Sequence, residues 1–385
     1  MTFQINIEEG LQLRYSYLNH ARRIVVKVGS AVLTGDNGLD IEVISSLASE
    51  IGFLMAAGKE VILVSSGAVA AGKRRLAVDP RRDLPLKEKQ AIAAVGQSSL
   101  MRAYEDVFDR QGRKVAQVLL THDDLSERVR YLNVRNTILT LLSWKILPII
   151  NENDTVSVQE LRFGDNDTLG AMISNVIDAD MFVCLTDVDG LYTGNPHVDK
   201  KASQVYTVME VDQVVEDMAG HVFGALGQGG MRSKIMAAKM VAAQGGSSLI
   251  GPGREPCILR RLFDGEMLGT FFLPRKERLQ SRKHWIAYVL RPKGQLVLDS
   301  GACSALQERG KSLLPSGIVE VRGSFELGES VQCIDEQGRP VAVGLTNYNS
   351  DDIRKIRGLA TWKIEEALGF KDSDEVIHRD NLVIV

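Results

Sequence analysis

Apolar residues along this chain fall into two alternating arrangements: short unbroken runs, and longer stretches in which they recur every three or four positions. RRIVVKVG, ending at Gly29, is a run rich in Val and Ile and predicts a strand. Ile41, Ile44, Leu47, Ile51 and Leu54 then share one helical face, closed by Gly58 as a C-terminal cap. KEVILVSSG predicts a second strand, KEKQAIAAVGQSSLMRAYEDVF a helix and KVAQVLLT a third strand, with a helical stretch following through Leu142. ILPIIN and MFVCLTD predict a fourth and a fifth strand. Between them Leu169, Met172, Ile173, Val176 and Ile177 keep helical spacing over residues 168–177. MRSKIMAAKMVAAQ predicts a later helix, stopped by Gly245 and Gly246, and SSLI and GTFFL predict final strands. Strands that are apolar on both faces and separated by helices predict an α/β domain, a three-layer αβα open and mostly parallel sheet. The first twenty or so residues show no such regularity.

Near Arg275 the pattern changes. RKERLQSRKHW is a charged connector, and the short pieces GQLVLD, GIVEVRG, ESVQCID and RPVAVGLT that follow are separated by Gly and turn residues. They predict a small β-rich domain, with the boundary placed between residues 1–278 and 279–375. A length of 385 residues accommodates both domains.

A net charge of −3 gives no global electrostatic case for nucleic acid or an anionic membrane. Cys184, Cys257, Cys303 and Cys333 form no CxxC pair, and no His stands at zinc-ligand spacing from them. They read as reduced thiols of a cytoplasmic protein, with Cys184 a small hydrophobe inside its strand. The start, MTFQINIEEG, lacks a signal-peptide core, and no apolar run approaches the ~20 residues that cross a bilayer.

In an open parallel sheet, ligands bind beyond the carboxyl ends of the strands. There the first strand carries Lys27 and leads into Gly29 and Ser30, and the second leads into Ser65, Ser66 and Gly67. The fourth runs into Asn151, Glu152, Asn153 and Asp154, and the fifth into Thr186 and Asp187. A second knot, Asp165, Asn166 and Asp167, is separated from the first by VSVQELRF, an alternating, hairpin-like insert. LGQGGM enters the helix that carries Lys234. Taken singly each has a plain alternative: Lys27 solvated on an edge strand, Gly29 and Gly67 simple turns, Asp167 a helix cap, Lys234 an exposed first-turn lysine. Together they point to phosphoryl transfer, which needs lysines for the charge of the moving group, glycine-turn and helix-start amides for phosphate oxygens, and carboxylates for magnesium or for the lysines. GAVAAGK, residues 67–73, matches the phosphate-loop pattern, but Arg74 follows where Ser or Thr is needed and AVAA is helix-like. A strand-to-helix turn at Ser66 and Gly67 is the expectation there.

VVKVGSAVLTG, VSSGAVAAG, AAVGQSSLM, LLTHDDLSERVRYLN, PIINENDTV, FGDNDTLGA, LTDVDGLYTGNP and GQGGMRSK, in this order, resemble the amino acid kinase family, and within it the branch that phosphorylates L-glutamate. SLLPSGIVEVRG and RPVAVGLTNYNSDDI resemble a PUA domain. The resemblance implies the amino acid kinase fold and the reaction of ATP with L-glutamate to L-glutamyl 5-phosphate, the first step of proline synthesis, with Mg2+. It implies that Ser66, Asp154 and Asn166 bind glutamate with Asn151 nearby, and that Asp165 serves substrate or magnesium. Lys27, Thr186, Asp187, Gln228, Gly229, Gly230, Met231, Arg232, Ser233 and Lys234 would contact ATP. Lys27 and Lys234 would stabilise the transferring group, with Asp167 orienting them. No residue is assigned as a metal ligand. The insert would cover the substrate, proline would act as feedback inhibitor, and the protein would be a homo-oligomer without membrane contact. Family members often carry Thr where this chain has Gln228, so a hydroxyl contact is missing there. Two alternatives stay open. One is another acyl-phosphate or carbamate kinase of the same fold, although an acid at Asp154 suits a substrate with a free ammonium. The other is an RNA-binding protein acting through the PUA domain. A dedicated RNA surface is usually basic, whereas residues 292–371 hold 10 Lys and Arg against 11 Asp and Glu.

Overall fold

The computed structural model describes the chain apart from residues 1–5, 36–37, 80–81, 83, 157–165, 197, 221–229, 276–285 and 287–289. The chain divides into two compact units, Met1–Arg278 and Leu279–Val385.

The first unit begins α1 (Ile7–His20), β1 (Arg23–Val28), α2 (Ser30–Leu33), β2 (Thr34–Gly35), β3 (Gly38–Leu39), α3 (Ile41–Ala56), β4 (Glu60–Ser65), α4 (Ala68–Arg75), α5 (Leu86–Asp109) and β5 (Val115–Leu120). It continues α6 (His122–Ser126), α7 (Arg128–Ser143), β6 (Leu147–Glu152), α8 (Asn166–Val176), β7 (Met181–Thr186), β8 (Thr207–Val208), α9 (Gln213–Gly220), α10 (Met231–Ala243), β9 (Ser247–Pro252), α11 (Ile258–Phe263) and β10 (Thr270–Phe272). The sheet runs β5-β6-β4-β1-β7-β9-β10-β8. All neighbours are parallel except β9 and β10.

The strands that read as unbroken apolar runs are the central ones. Ile24, Val26 and Val28 pack with Leu63, Val183 and Leu185 against Leu47, Ile51, Tyr104 and Phe108 of α3 and α5. The other face carries Val25 and Lys27 and meets α8. Each fully buried Val, Leu or Ile contributes roughly 1.5–3 kcal/mol, so a strand buried on both faces is strongly pinned. The register sets Val28 level with Ser65 on one side and Leu185 on the other. The carboxyl ends of β1, β4 and β7 therefore finish along one edge.

Two glycines bring α5 close to that edge. A Cβ at Gly96 would lie 1.8 Å from the Ala68 carbonyl oxygen, and one at Gly72 would lie 2.0 Å from that of Ile92. Gly67, at φ +100°, makes the left-handed turn from β4 into α4, so the GAVAAGK stretch is a helix start and not a phosphate loop.

Several sequence expectations change. The irregular N-terminus forms α1, whose weakly patterned sequence is N-capped by Asn6 and packs against β8 and α11. The helical stretch ending at Leu142 is two helices, α6 and α7. Helix α8 begins at Asn166, so Asp167 lies inside the first turn and is not its cap. The VSVQELRF insert, expected to cover the substrate, lies outside the described residues.

The second unit holds β11 (Gly294–Leu298), α12 (Ser300–Gln307), β12 (Ile318–Gly323), β13 (Ser330–Asp335), β14 (Pro340–Leu345), α13 (Ser350–Ile356), α14 (Ile364–Leu368) and β15 (Leu382–Ile384), in the sheet order β12-β11-β13-β14-β15. Its core includes Leu296, Ile318, Val331, Tyr348 and Ile377. Strand β15 lies past residue 375, where the sequence reading closes this domain; a three-residue run is too short for its period to register.

Candidate active site

Lys27 is 5% exposed, Lys234 6% and Asp167 fully buried. Buried charge survives only when paired and hydrogen-bonded, and the three meet at one carboxylate. Lys27 Nζ bonds Asp167 Oδ1, and Lys234 Nζ donates to Oδ2 at 3.1 Å. Ser233 Oγ donates to Oδ2 at 2.9 Å, and Cys184 Sγ donates to Oδ1 at 3.3 Å. Burial works to raise the Asp167 carboxyl, but Lys27 and Lys234 outweigh it and hold it down at about 2. Burial, then the Asp167 charge, pushes the Cys184 thiol up to about 12, so it stays a donor.

Local sequence explains the convergence. Gly170, one turn into α8, leaves no room for a side chain: a Cβ there would lie 2.6 Å from Phe182 Cε2 and 3.4 Å from Lys27 Cβ. Helix α8 thus lies flat on β1 and β7, and its first turn brings Asp167 to Lys27. Lys234 occupies the first turn of α10, behind the extended Gly230. A cation at a helix N-terminus opposes the helix dipole, and Asp167 offsets that cost.

Beside this knot lies a neutral one. Asn166 Nδ2 donates to the Ser65 carbonyl at 2.9 Å, to Ser66 Oγ at 2.8 Å and to Asn151 Oδ1 at 3.1 Å. Asn151 Oδ1 also accepts from the Glu152 N–H at 2.9 Å, while its Nδ2 donates to Gln97 Oε1 at 2.9 Å. Ser65 Oγ and Tyr104 OH share a 2.9 Å bond. Burial pushes the Tyr104 hydroxyl far above its ordinary value, so it stays neutral.

Asp154 stands half-buried in the turn after β6, three residues beyond Asn151. At the end of β7, Thr186 is buried and its hydroxyl donates to Asp187 Oδ1 at 3.0 Å. The Thr186 carbonyl accepts from the Gly253 N–H at 2.7 Å. Met231 is buried and Arg232 exposed. Asp165, Gln228 and Gly229 lie outside the described residues.

The profile of the Amino acid kinase family matches residues 22–250. The chain belongs to the amino acid kinase family. A PUA domain profile matches residues 294–368. The chain is 56% identical over 375 residues to a glutamate 5-kinase of Desulfotalea psychrophila, spanning 97% of this chain and 100% of that protein. It is 50% identical over 373 residues to the glutamate 5-kinase of Syntrophus aciditrophicus (97% and 96% covered) and 48% over 375 residues to that of Geobacter sulfurreducens (97% and 100%). The amino acid kinase match runs from β1 into β9 and takes in every residue of both clusters.

Three members of these clusters escape sequence reasoning, and Tyr104 reads only as one residue of a predicted helix. Cys184 reads as part of an apolar strand, yet the register sets it beside Lys27 and its thiol joins the carboxylate. Gln97 had one faint signal: it sits on α5 four residues from buried Ala93 and from buried Met101, a polar position on the inward stripe.

Proposed function

We propose that this chain transfers the γ-phosphoryl group of ATP to the γ-carboxylate of L-glutamate, forming L-glutamyl 5-phosphate, the first step of proline synthesis. The observation that carries this reading is the sharing of one buried carboxylate by Lys27 and Lys234. Two ammonium groups against one carboxylate leave that trio one positive charge in excess, held where water is excluded. Such charge stabilises a phosphoryl group whose oxygens gain negative character during transfer.

The nucleophile needs no base. A γ-carboxylate is ionised at neutral pH, so one of its oxygens attacks phosphorus directly while the bond to the ADP oxygen breaks, and no proton moves. Asp167 fits that scheme as an organiser: held at about 2 and surrounded by four donors, it is unsuited to proton abstraction. The N–H groups of Met231 and Arg232 at the start of α10 face the phosphates, and Thr186 and Asp187 also contact the nucleotide. Ser66, Asn151, Asp154 and Asn166 form the glutamate pocket, Asp154 answering the ammonium.

Magnesium enters this scheme with the nucleotide. Both Asp167 oxygens are engaged by protein donors, and among the described residues no group of three or more His, Cys, Asp or Glu is arranged to hold a metal. Magnesium often binds through substrate phosphates with one or two carboxylates, which fits a metal delivered as MgATP. Four unpaired thiols fit a cytoplasmic setting. No helix among the described residues is long and apolar enough to cross a membrane. Feedback inhibition by proline and assembly of several copies belong to the same reading.

An ADP-release assay across L-glutamate, N-acetyl-L-glutamate, L-aspartate and carbamate, with hydroxylamine trapping of the acyl phosphate, tests it. Glutamate-dependent ADP release with hydroxamate formation is the expected result. Equal or faster turnover of the N-acetylated acid or of carbamate moves the chain to another kinase of this fold.

A further inference from the structure

We propose that Gln97, on α5, is a positioning residue that sets which atoms of the substrate pocket accept and which donate, and through them the preference for a substrate bearing a free ammonium. This rests on the function proposed above. The polarity of the amide chain is anchored at two main-chain groups that cannot reverse: the Glu152 N–H donates into Asn151 Oδ1, and the Ser65 carbonyl accepts from Asn166 Nδ2. Between them Asn151 Oδ1 must accept from Asn166 Nδ2, so Asn151 Nδ2 has to find an acceptor elsewhere. Asn151 is 3% exposed and water does not supply one freely. Gln97 Oε1 does, at 2.9 Å.

The consequence appears at the far end of the chain. The two hydrogens of the Asn166 NH2 group are shared among the Ser65 carbonyl, Ser66 Oγ and Asn151 Oδ1, so neither is left over. No donor among the described residues reaches Asn166 Oδ1, so the pocket offers that oxygen as an acceptor, the group an ammonium needs. Ser66 Oγ already accepts from Asn166, and its hydroxyl hydrogen is the atom left for a carboxylate oxygen. Taking Gln97 away leaves a buried N–H2 without its acceptor. Asn151, its Oδ1 still held by the Glu152 N–H, must draw its amide toward another acceptor, which loosens its bond to Asn166 and with it the hold on the Asn166 amide.

The test compares kcat/KM for L-glutamate with that for glutarate, which has the two carboxylates and no ammonium. In Gln97→Met, of similar length but without an acceptor, the glutamate preference should narrow about tenfold through a higher glutamate KM, in line with the cost of an unsatisfied buried donor. The ATP KM should hold, and the melting temperature should fall by no more than a few degrees. Gln97→Glu returns acceptor oxygens and should recover most of the preference. Overturning results are a glutamate-to-glutarate ratio unchanged in Gln97→Met, or Gln97→Glu no better than Gln97→Met. Should the wild-type protein not phosphorylate glutamate at all, the failure lies in the proposed function and takes this inference with it; wild-type turnover with an unmoved ratio sinks this inference alone.

Discussion

Asn166 and Asp167 are consecutive residues, yet the clusters they serve are built on opposite principles. Around Asp167 the chain buries full charges and balances them only in part, two ammonium groups against one carboxylate. Around Asn166 it uses neutral amides, tied at both ends to the main chain. A buried ion loses several kcal/mol of hydration, and under the proposed function this costly charge stands where a phosphoryl group develops charge of its own. Recognition of an amino acid asks for a pattern of donors and acceptors, which dipoles supply at far lower desolvation cost. One helix start serves both because successive residues of its first turn point in different directions.

The sharpest way to break this contrast is Lys234→Ala. Loss of one of two charge-compensating groups should lower turnover about 10²-fold or more, with the glutamate KM changed only a few-fold, as steady-state kinetics would read. A pure KM effect would mean that Lys234 belongs to recognition and not to transfer. Asp154→Ala should do the reverse, raising the glutamate KM by roughly tenfold or more, the cost of a lost charge-assisted hydrogen bond, while the ATP KM stays put. Unchanged glutamate kinetics would remove Asp154 from the pocket. The smallest effect is on stability at low pH. Asp167 is depressed from 3.8 to about 2 in the folded protein. Its contribution is therefore present above about 4 and is lost as pH falls from there toward 2. Urea midpoints across that window should fall more steeply for the wild type than for Asp167→Asn. Asn166→Ala, which removes no titrating group, should keep the wild-type slope, and equal slopes for all three would contradict the account of Asp167.

How much of this was legible in the chain follows the same divide. Lys27 could be read because an ammonium inside an apolar strand demands a partner, and Asp167 because an acid opens a helix. Their meeting could not be read, since 140 positions separate them and only the parallel register and the close seating of Gly170 on Phe182 bring them together. Cys184 was hidden by its own chemistry: a thiol counts as apolar until a carboxylate stands 3.3 Å away. Gln97 was hidden because one polar residue on a helix stripe carries no direction until the helix is docked. Most long elements showed their periods, with the weakly patterned α1 the exception, whereas β8 and β15, of two and three residues, are too short to have one.

The missing side chain at position 96 has an effect beyond helix packing. Because the Ala68 carbonyl would sit 1.8 Å from a methyl there, one hydrogen atom gauges the gap between the helix that bears Gln97 and Tyr104 and the turn that bears Ser66. Whatever thickens that spacer moves one wall of the proposed amino-acid pocket away from the other, so on that reading the tolerance of the pocket is written at a residue that has nothing to bind with.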